Sequence, residues 1–248
     1  MSVEAVTYIS DLNATYPAAG DSQVEGDDHI RNLKTGIKAT FPNIAGAVTP
    51  THTELNYVDG VTSAIQTQLD TLSAASLRLI TASSASASAA IDFTSGISST
   101  YDEYELHIIN AIPSGASAIP WIRTSTDGGS TFASTSGDYV WITGRTNATS
   151  FTVTNDGGTG TAIVLHNQAI STAANYGYSA VVRFYQPAST TLQKEFNFSG
   201  GGPTSTGCES SSGTGTRAAT AAINAIRFMF ASGNIASGEF KLYGVKKS

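Results

Sequence analysis

The sequence predicts a mainly β protein, in which a short helical N-terminal arm and a self-associating coiled-coil stalk lead into an antiparallel, jelly-roll-like β-sandwich head. Three observations carry the prediction of fold class. Only 13% of the 248 residues are charged, well below the usual quarter, and Ser, Thr and Gly fill the gap, which suits a β body with a polar, uncharged surface. Apolar residues recur at helical spacing only between Asp27 and Leu79. Beyond Leu79 the period becomes two, with about ten short strands separated by Gly-rich turns. The chain therefore divides into an arm over 1–50, a stalk over 51–79 and a head over 80–248.

The arm opens with two short apolar clusters, Val6, Tyr8, Ile9 and Leu12, then Tyr16-Pro17. Such a segment cannot bury itself alone, so it is expected to be disordered or laid along a partner. From Asp27 the chain turns helical: Ile30, Leu33, Ile37 and Phe41 line one face, with acids at the start and Lys34 and Lys38 later, as the helix dipole favours. Phe41-Pro42 ends it, because a residue before proline is pushed out of the α region. Gly36 within it costs about 1 kcal/mol relative to Ala, which leaves the helix marginal without a partner.

The stalk begins with a capping box, Thr51-His52-Thr53-Glu54. With Leu55 as heptad position a, the a and d sites are Leu55, Val58, Thr62, Ile65, Leu69, Leu72, Ser76 and Leu79, six of the eight apolar. The seam is narrow, flanked by Gln66, Thr67, Gln68 and Asp70, and suits self-association. Asp59-Gly60 interrupts it, and Thr62 or Ser63 would recap the helix beyond. The heptads do not choose three strands over two.

After Leu79, "LITASSASASAAIDFT" reads either as a linker or as a strand of tiny side chains. Tyr104, Leu106 and Ile108 then alternate with Glu105 and His107. Further strands are expected at 119–124, 139–143, 151–154, 163–165, 179–185, 191–198, 223–230 and 238–245. The stretch 199–216, "SGGGPTSTGCESSSGTGT", reads as a loop.

Composition excludes several classes. A net charge of −6 argues against nucleic acid, which requires clustered cations. The single Cys208 excludes an internal disulfide and a cysteine zinc site. His29, His52, His107 and His166 show no ligand spacing, so neither metal nor cofactor is expected. No apolar run approaches the roughly 18 residues of a membrane span. The start, "MSVEAVTYISDL", lacks the pattern of a signal peptide, so a chain made in the cytosol is expected.

Two stretches bear a resemblance. "EGDDHIRNLKTGIKATFPNI" (25–44) and "GAVTPTHTELNYVDGVTSAIQTQL" (46–69) closely resemble the N-terminal region of tailed-bacteriophage fibre proteins, where an acidic–basic helix ending in Phe-Pro-Asn leads into a Glu-Leu-Asn-(Tyr)-x-Asp-Gly-Val-Thr segment. The resemblance covers about residues 21 to 70. "YDEYELHIINAIPS" (101–114) and "WIRTSTDGGSTF" (121–132) are similar, more loosely, to the heads of such fibres, whereas 1–20 and 200–222 resemble nothing known to us. The resemblance implies a homotrimeric virion component, docked on the particle by its N-terminus, with its head offered to the host surface. A tail fibre is the leading expectation; a capsid head fibre or decoration protein is the alternative. It also implies that Asp27, Asp28, His29, Arg31, Phe41 and Pro42 meet a virion protein.

The head's chemistry is read as binding. Ser125, Asp127, Gly129, Thr131 and Phe132 fit the Asp-box pattern, but one copy predicts a hairpin turn and not a propeller. Glycan hydrolysis, the third reading, needs two positioned carboxylates, and most of the head's acids fall in turns or alternate outward on strands. His107 and His166 read as strand residues with no neighbouring Asp, so no enzyme is expected. Sugar contact favours aromatic faces with polar edges, which singles out Trp121, Tyr139, Trp141, Tyr176 and Tyr178. Tyr139 and Trp141 share one strand face and Val140 and Ile142 the other; which pair points outward is left open.

Overall fold

The computed structural model describes residues 3–61, 64–72, 77–204 and 207–246. The chain forms two compact units, one ending at Ile65 and one starting at Gln66.

In the first unit, helix α1 (Gly26–Thr40) follows a 3-10 turn over Gln23–Glu25, where Ser22 Oγ accepts from Val24 N at 3.3 Å. It stops where proline predicts. Phe41 leaves helical geometry while its N–H still donates to Ile37 O at 3.0 Å. The preceding arm is laid along this same helix. Ile9 N donates to Thr40 Oγ1 at 2.8 Å and Asn32 Nδ2 to Glu4 O at 2.5 Å. Gly36 marks the crossing point: a Cβ there would lie 2.9 Å from Val6 Cγ1 and 3.4 Å from the Tyr8 carbonyl. Its low helix propensity is thus offset by the close approach it permits.

Helix α2 (His52–Asn56) has the predicted capping box, with Glu54 Oε2 accepting from Thr51 N at 2.7 Å and Thr51 Oγ1 accepting from Glu54 N at 3.3 Å. The helix then ends, Gly60 takes φ +80°, and α3 (Ile65–Leu72) starts afresh. The heptad seam is therefore not one continuous helix. Thr62, Ser63 and Ser76 lie outside the described residues, and Leu72 is placed by its backbone alone. Leu79 is corrected outright. It belongs to strand β1 (Leu77–Ser88), opposite Tyr243, because ladder hydrogen bonds to the C-terminal strand outweigh one more heptad position. The Ser/Ala stretch is accordingly a strand, and the β structure starts at Leu77, not at residue 80.

The remaining strands are β2 (Ile91–Phe93), β3 (Glu103–Pro113), β4 (Pro120–Ser125), β5 (Tyr139–Thr146), β6 (Phe151–Asn155), β7 (Ile163–Val164), β8 (Tyr178–Tyr185), β9 (Lys194–Thr204), β10 (Gly207–Arg217), β11 (Ala225–Phe230) and β12 (Ile235–Val245). They form an eight-stranded antiparallel sheet, ordered β1-β12-β3-β8-β9-β10-β5-β6, and a four-stranded one, β2-β11-β4-β7. The two pack face to face as a sandwich. Their inner faces alternate apolar residues, and Phe228 of the small sheet meets Phe240 of the large one at 5.1 Å between ring centroids. Tyr104, Phe184 and Phe196 stack in succession across β3, β8 and β9, at 5.2 and 5.5 Å. Full burial of each such ring contributes about 1.5–3 kcal/mol. The outward face of β3 is polar: Glu105 accepts from Arg183 Nε at 2.7 Å and lies 2.8 Å from His107 Nε2.

A further stretch departs from expectation. Residues 199–204 and 207–216 are not a loop but the paired arms of β9 and β10, in register from Lys194–Arg217 to Thr204–Gly207.

Candidate functional site

In the first unit, Asp27, Asp28 and Arg31 form one exposed cluster on α1, with Arg31 bonded to Asp27 and 3.5 Å from Asp28. Phe41 and Pro42 are exposed too, just beyond the opposite end of the same helix. His29 is not. Its side chain stacks on Tyr16 at 6.0 Å and faces Asp21 at 3.8 Å, with only 9% exposed, so it braces the arm and does not offer itself to a partner. The apolar stripe read from the sequence is open: Ile30, Leu33, Ile37 and Phe41 are all exposed, as are Leu55, Val58, Ile65 and Leu69. Ile37, Phe41, Ile44, Val48 and Leu55 line an apolar groove of about 520 Å³.

Two of the five head aromatics are core residues, and their assignment to ligand contact is corrected. Tyr139 is fully buried; its hydroxyl accepts from Thr124 N at 2.8 Å and donates to Ala133 O at 3.2 Å. Tyr178 is buried as well, and burial raises its phenol pKa. Trp141 packs against the core from the same strand face. The outward pair is therefore Val140 and Ile142, 48% and 44% exposed. Trp121 is half-buried, with the Arg123 guanidinium 5.4 Å from its ring. Tyr176 and Trp141 are each half-buried and each line a cavity, and Tyr176 lies at the more enclosed of the two.

The cavity at Tyr176, of about 280 Å³, is lined among others by His166, Gln168, Ile170, Tyr176, Gly202 and Glu209. Four segments build it. His166 follows β7, Tyr176 precedes β8, and Gly202 and Glu209 face each other across β9 and β10. Glycine allows the segments to close up: a Cβ on Gly202 would lie 2.5 Å from Gly177 O, and one on Gly177 would lie 2.7 Å from Asn110 Cα.

A polar relay supports the wall. Glu209 Oε1 accepts from Arg145 at 2.8 Å and Oε2 lies 3.1 Å from His166 Nε2. Arg145 Nε donates to Asn167 Oδ1 at 3.1 Å, and Asn167 donates to Thr154 Oγ1 at 2.7 Å. Because the carboxylate only accepts, Nε2 of neutral His166 carries the hydrogen and Nδ1 keeps its lone pair. Burial, opposed by Glu209, holds the His166 pKa below its ordinary value, which favours this neutral form. Nδ1 is buried and has no partner among the described residues. An acceptor left so costs about 1–3 kcal/mol.

Of this cavity's lining, sequence reasoning had singled out Tyr176 and Tyr178 but missed the His166–Glu209 pair. His166 and Glu209 are 43 residues apart, so no local spacing betrays them. The available signal was the clustering of glycine near both tyrosines and around Glu209.

Among the described residues no group of three or more His, Cys, Asp or Glu side chains is placed to hold a metal, and no helix is long and apolar enough to cross a membrane. Cys208 is free and exposed. No family model, curated protein or solved structure matches the chain.

Proposed function

We propose that this chain is the subunit of a homotrimeric bacteriophage tail fibre, docked on the virion through residues 1–50 and presenting its β head for host-surface recognition. The observation that carries the reading is the open apolar stripe of the first unit. Ile30, Leu33, Ile37, Phe41, Ile44, Val48, Leu55 and Val58 are all exposed in the single chain. A run of that length on one unit marks an interaction surface. Ile30, Leu33 and Ile37 keep the spacing of a coiled-coil seam, along which neighbouring copies would bury them. The resemblance of residues 21–70 to fibre proteins supplies the virus and the number three. Asp27, Asp28, Arg31, Phe41 and Pro42 are the arm's docking residues on this reading, with His29 holding the arm's shape. Three heads per fibre let avidity compensate for weak individual contacts.

Light scattering on the full chain tests the assembly. A mass near 77 kDa, three times the 25.6 kDa of one chain, is expected. A species of 25.6 kDa at micromolar concentration would overturn the reading. The host role is tested separately: the fluorescently labelled chain should decorate susceptible cells and compete with infection.

A further inference from the structure

We propose that the cavity beside His166 binds one ring of a neutral, hydroxyl-rich ligand: a monosaccharide, or the terminal sugar of a glycan. The proposal deepens the fibre reading and rests on it only for where the sugar is met, on a host surface. The site's chemistry does not depend on the virus.

Charge narrows the ligand first. The one acid on the wall, Glu209, is already held by Arg145 and His166. No Lys or Arg lines the cavity among the described residues. A phosphate, sulfate or carboxylate would therefore enter without a counter-charge, and a cation would have to compete with Arg145 for Glu209.

Hydrogen-bonding capacity narrows it further. The neutral His166 ring lines the cavity, its Nε2–H held by Glu209. Gln168 brings an amide that both donates and accepts, and Ser171 a hydroxyl that does the same. Hydroxyl groups, which also donate and accept, meet this set; a flat apolar ligand would leave it unmet. Tyr176, Ile170 and Pro203 add apolar surface, and the half-exposed Tyr176 ring suits the C–H face of a sugar. The volume of about 280 Å³ sits just below the roughly 300–1,000 Å³ of drug-sized ligand sites, which leaves room for a single ring.

Saturation-transfer NMR on the full-length protein tests this, with glucose, galactose, mannose, N-acetylglucosamine and, as the charged probe, N-acetylneuraminate. Transfer to at least one neutral sugar at millimolar concentration is expected. Tyr176→Ala and Gln168→Ala, both outside the core, should each weaken it about tenfold. His166→Phe should do the same, and the first two variants keep the test valid if that one misfolds. Absence of transfer from every neutral sugar would overturn the proposal. So would transfer that both surface variants leave unchanged, or stronger binding of the charged probe. Decoration of cells without sugar binding would remove the cavity site and spare the fibre reading. Sugar binding at the cavity without decoration would support the site and count against the host role.

Discussion

Asp127 holds the Asp-box turn through its two carboxylate oxygens. Ser125 Oγ donates to it at 2.6 Å, and Thr131 donates from its hydroxyl at 2.6 Å and its backbone N–H at 2.9 Å. Those bonds, Ser125's first, lower its pKa from 3.8 to about 2. A native pKa below the unfolded one means that the unfolded chain binds more protons in acid. The contribution of Asp127 is thus fully present above about pH 4 and is lost as pH falls toward its native pKa. Asp127→Asn should lower the melting temperature at neutral pH and flatten its acid dependence between the two pKa values. Thermal unfolding across that range checks this; identical acid slopes in variant and parent would show that the bonds do not stabilise the fold. His166 shows the opposite economy at the same scale. Its ring is held neutral by burial, with Nε2–H facing Glu209 and Nδ1 left as a buried acceptor without a partner among the described residues.

The hairpin of β9 and β10 carries the head's densest glycine, and its reason lies across the sheet rather than along the chain. A Cβ on Gly213 would meet the Ile142 carbonyl of β5 at 2.1 Å and the Phe198 ring at 2.6 Å; one on Gly215 would meet Ile163 at 2.7 Å. Glycine here makes space for a neighbour's bulk. That carbonyl belongs to Ile142, which is paired in the ladder with Thr214 next to Gly213, so it cannot step aside cheaply. Gly213→Ala should therefore cost about 1–3 kcal/mol, measured by urea unfolding, while Gly46→Ala, with nothing within 4 Å, should leave the midpoint unchanged. This is also where legibility ended. β3, β8 and β11 were readable because one face is buried and their apolar residues alternate. The start of β9 was read as a strand, but its second half and β10 were read as loop because Ser, Thr and Gly carry no such period. Leu79 was misplaced for a related reason: a leucine at heptad spacing does not reveal that β12 lies beside it. The His166–Glu209 pair was invisible on the same grounds, since three strands had to be placed before it existed.

Apolar burial is divided very unequally over the molecule. Every buried apolar side chain among the described residues lies between Ala85 and Leu242, whereas the first unit buries only Gly36. The sandwich can therefore be stable alone, while α1 depends on the arm strapped along it and on whatever covers its open stripe. Both tryptophans, Trp121 and Trp141, belong to the head, and the three α-helices among the described residues precede it, so two optical signals separate the parts. On heating, helical ellipticity should be lost first, at a temperature that rises with protein concentration, as dissociation of a trimer requires. Tryptophan fluorescence should change later, at a temperature independent of concentration. If both signals instead move together and both shift with concentration, the head itself must be held by neighbouring copies. Its exposed Val140, Ile142, Phe151 and Val153, on the shared face of β5 and β6, would then be the surface that holds it.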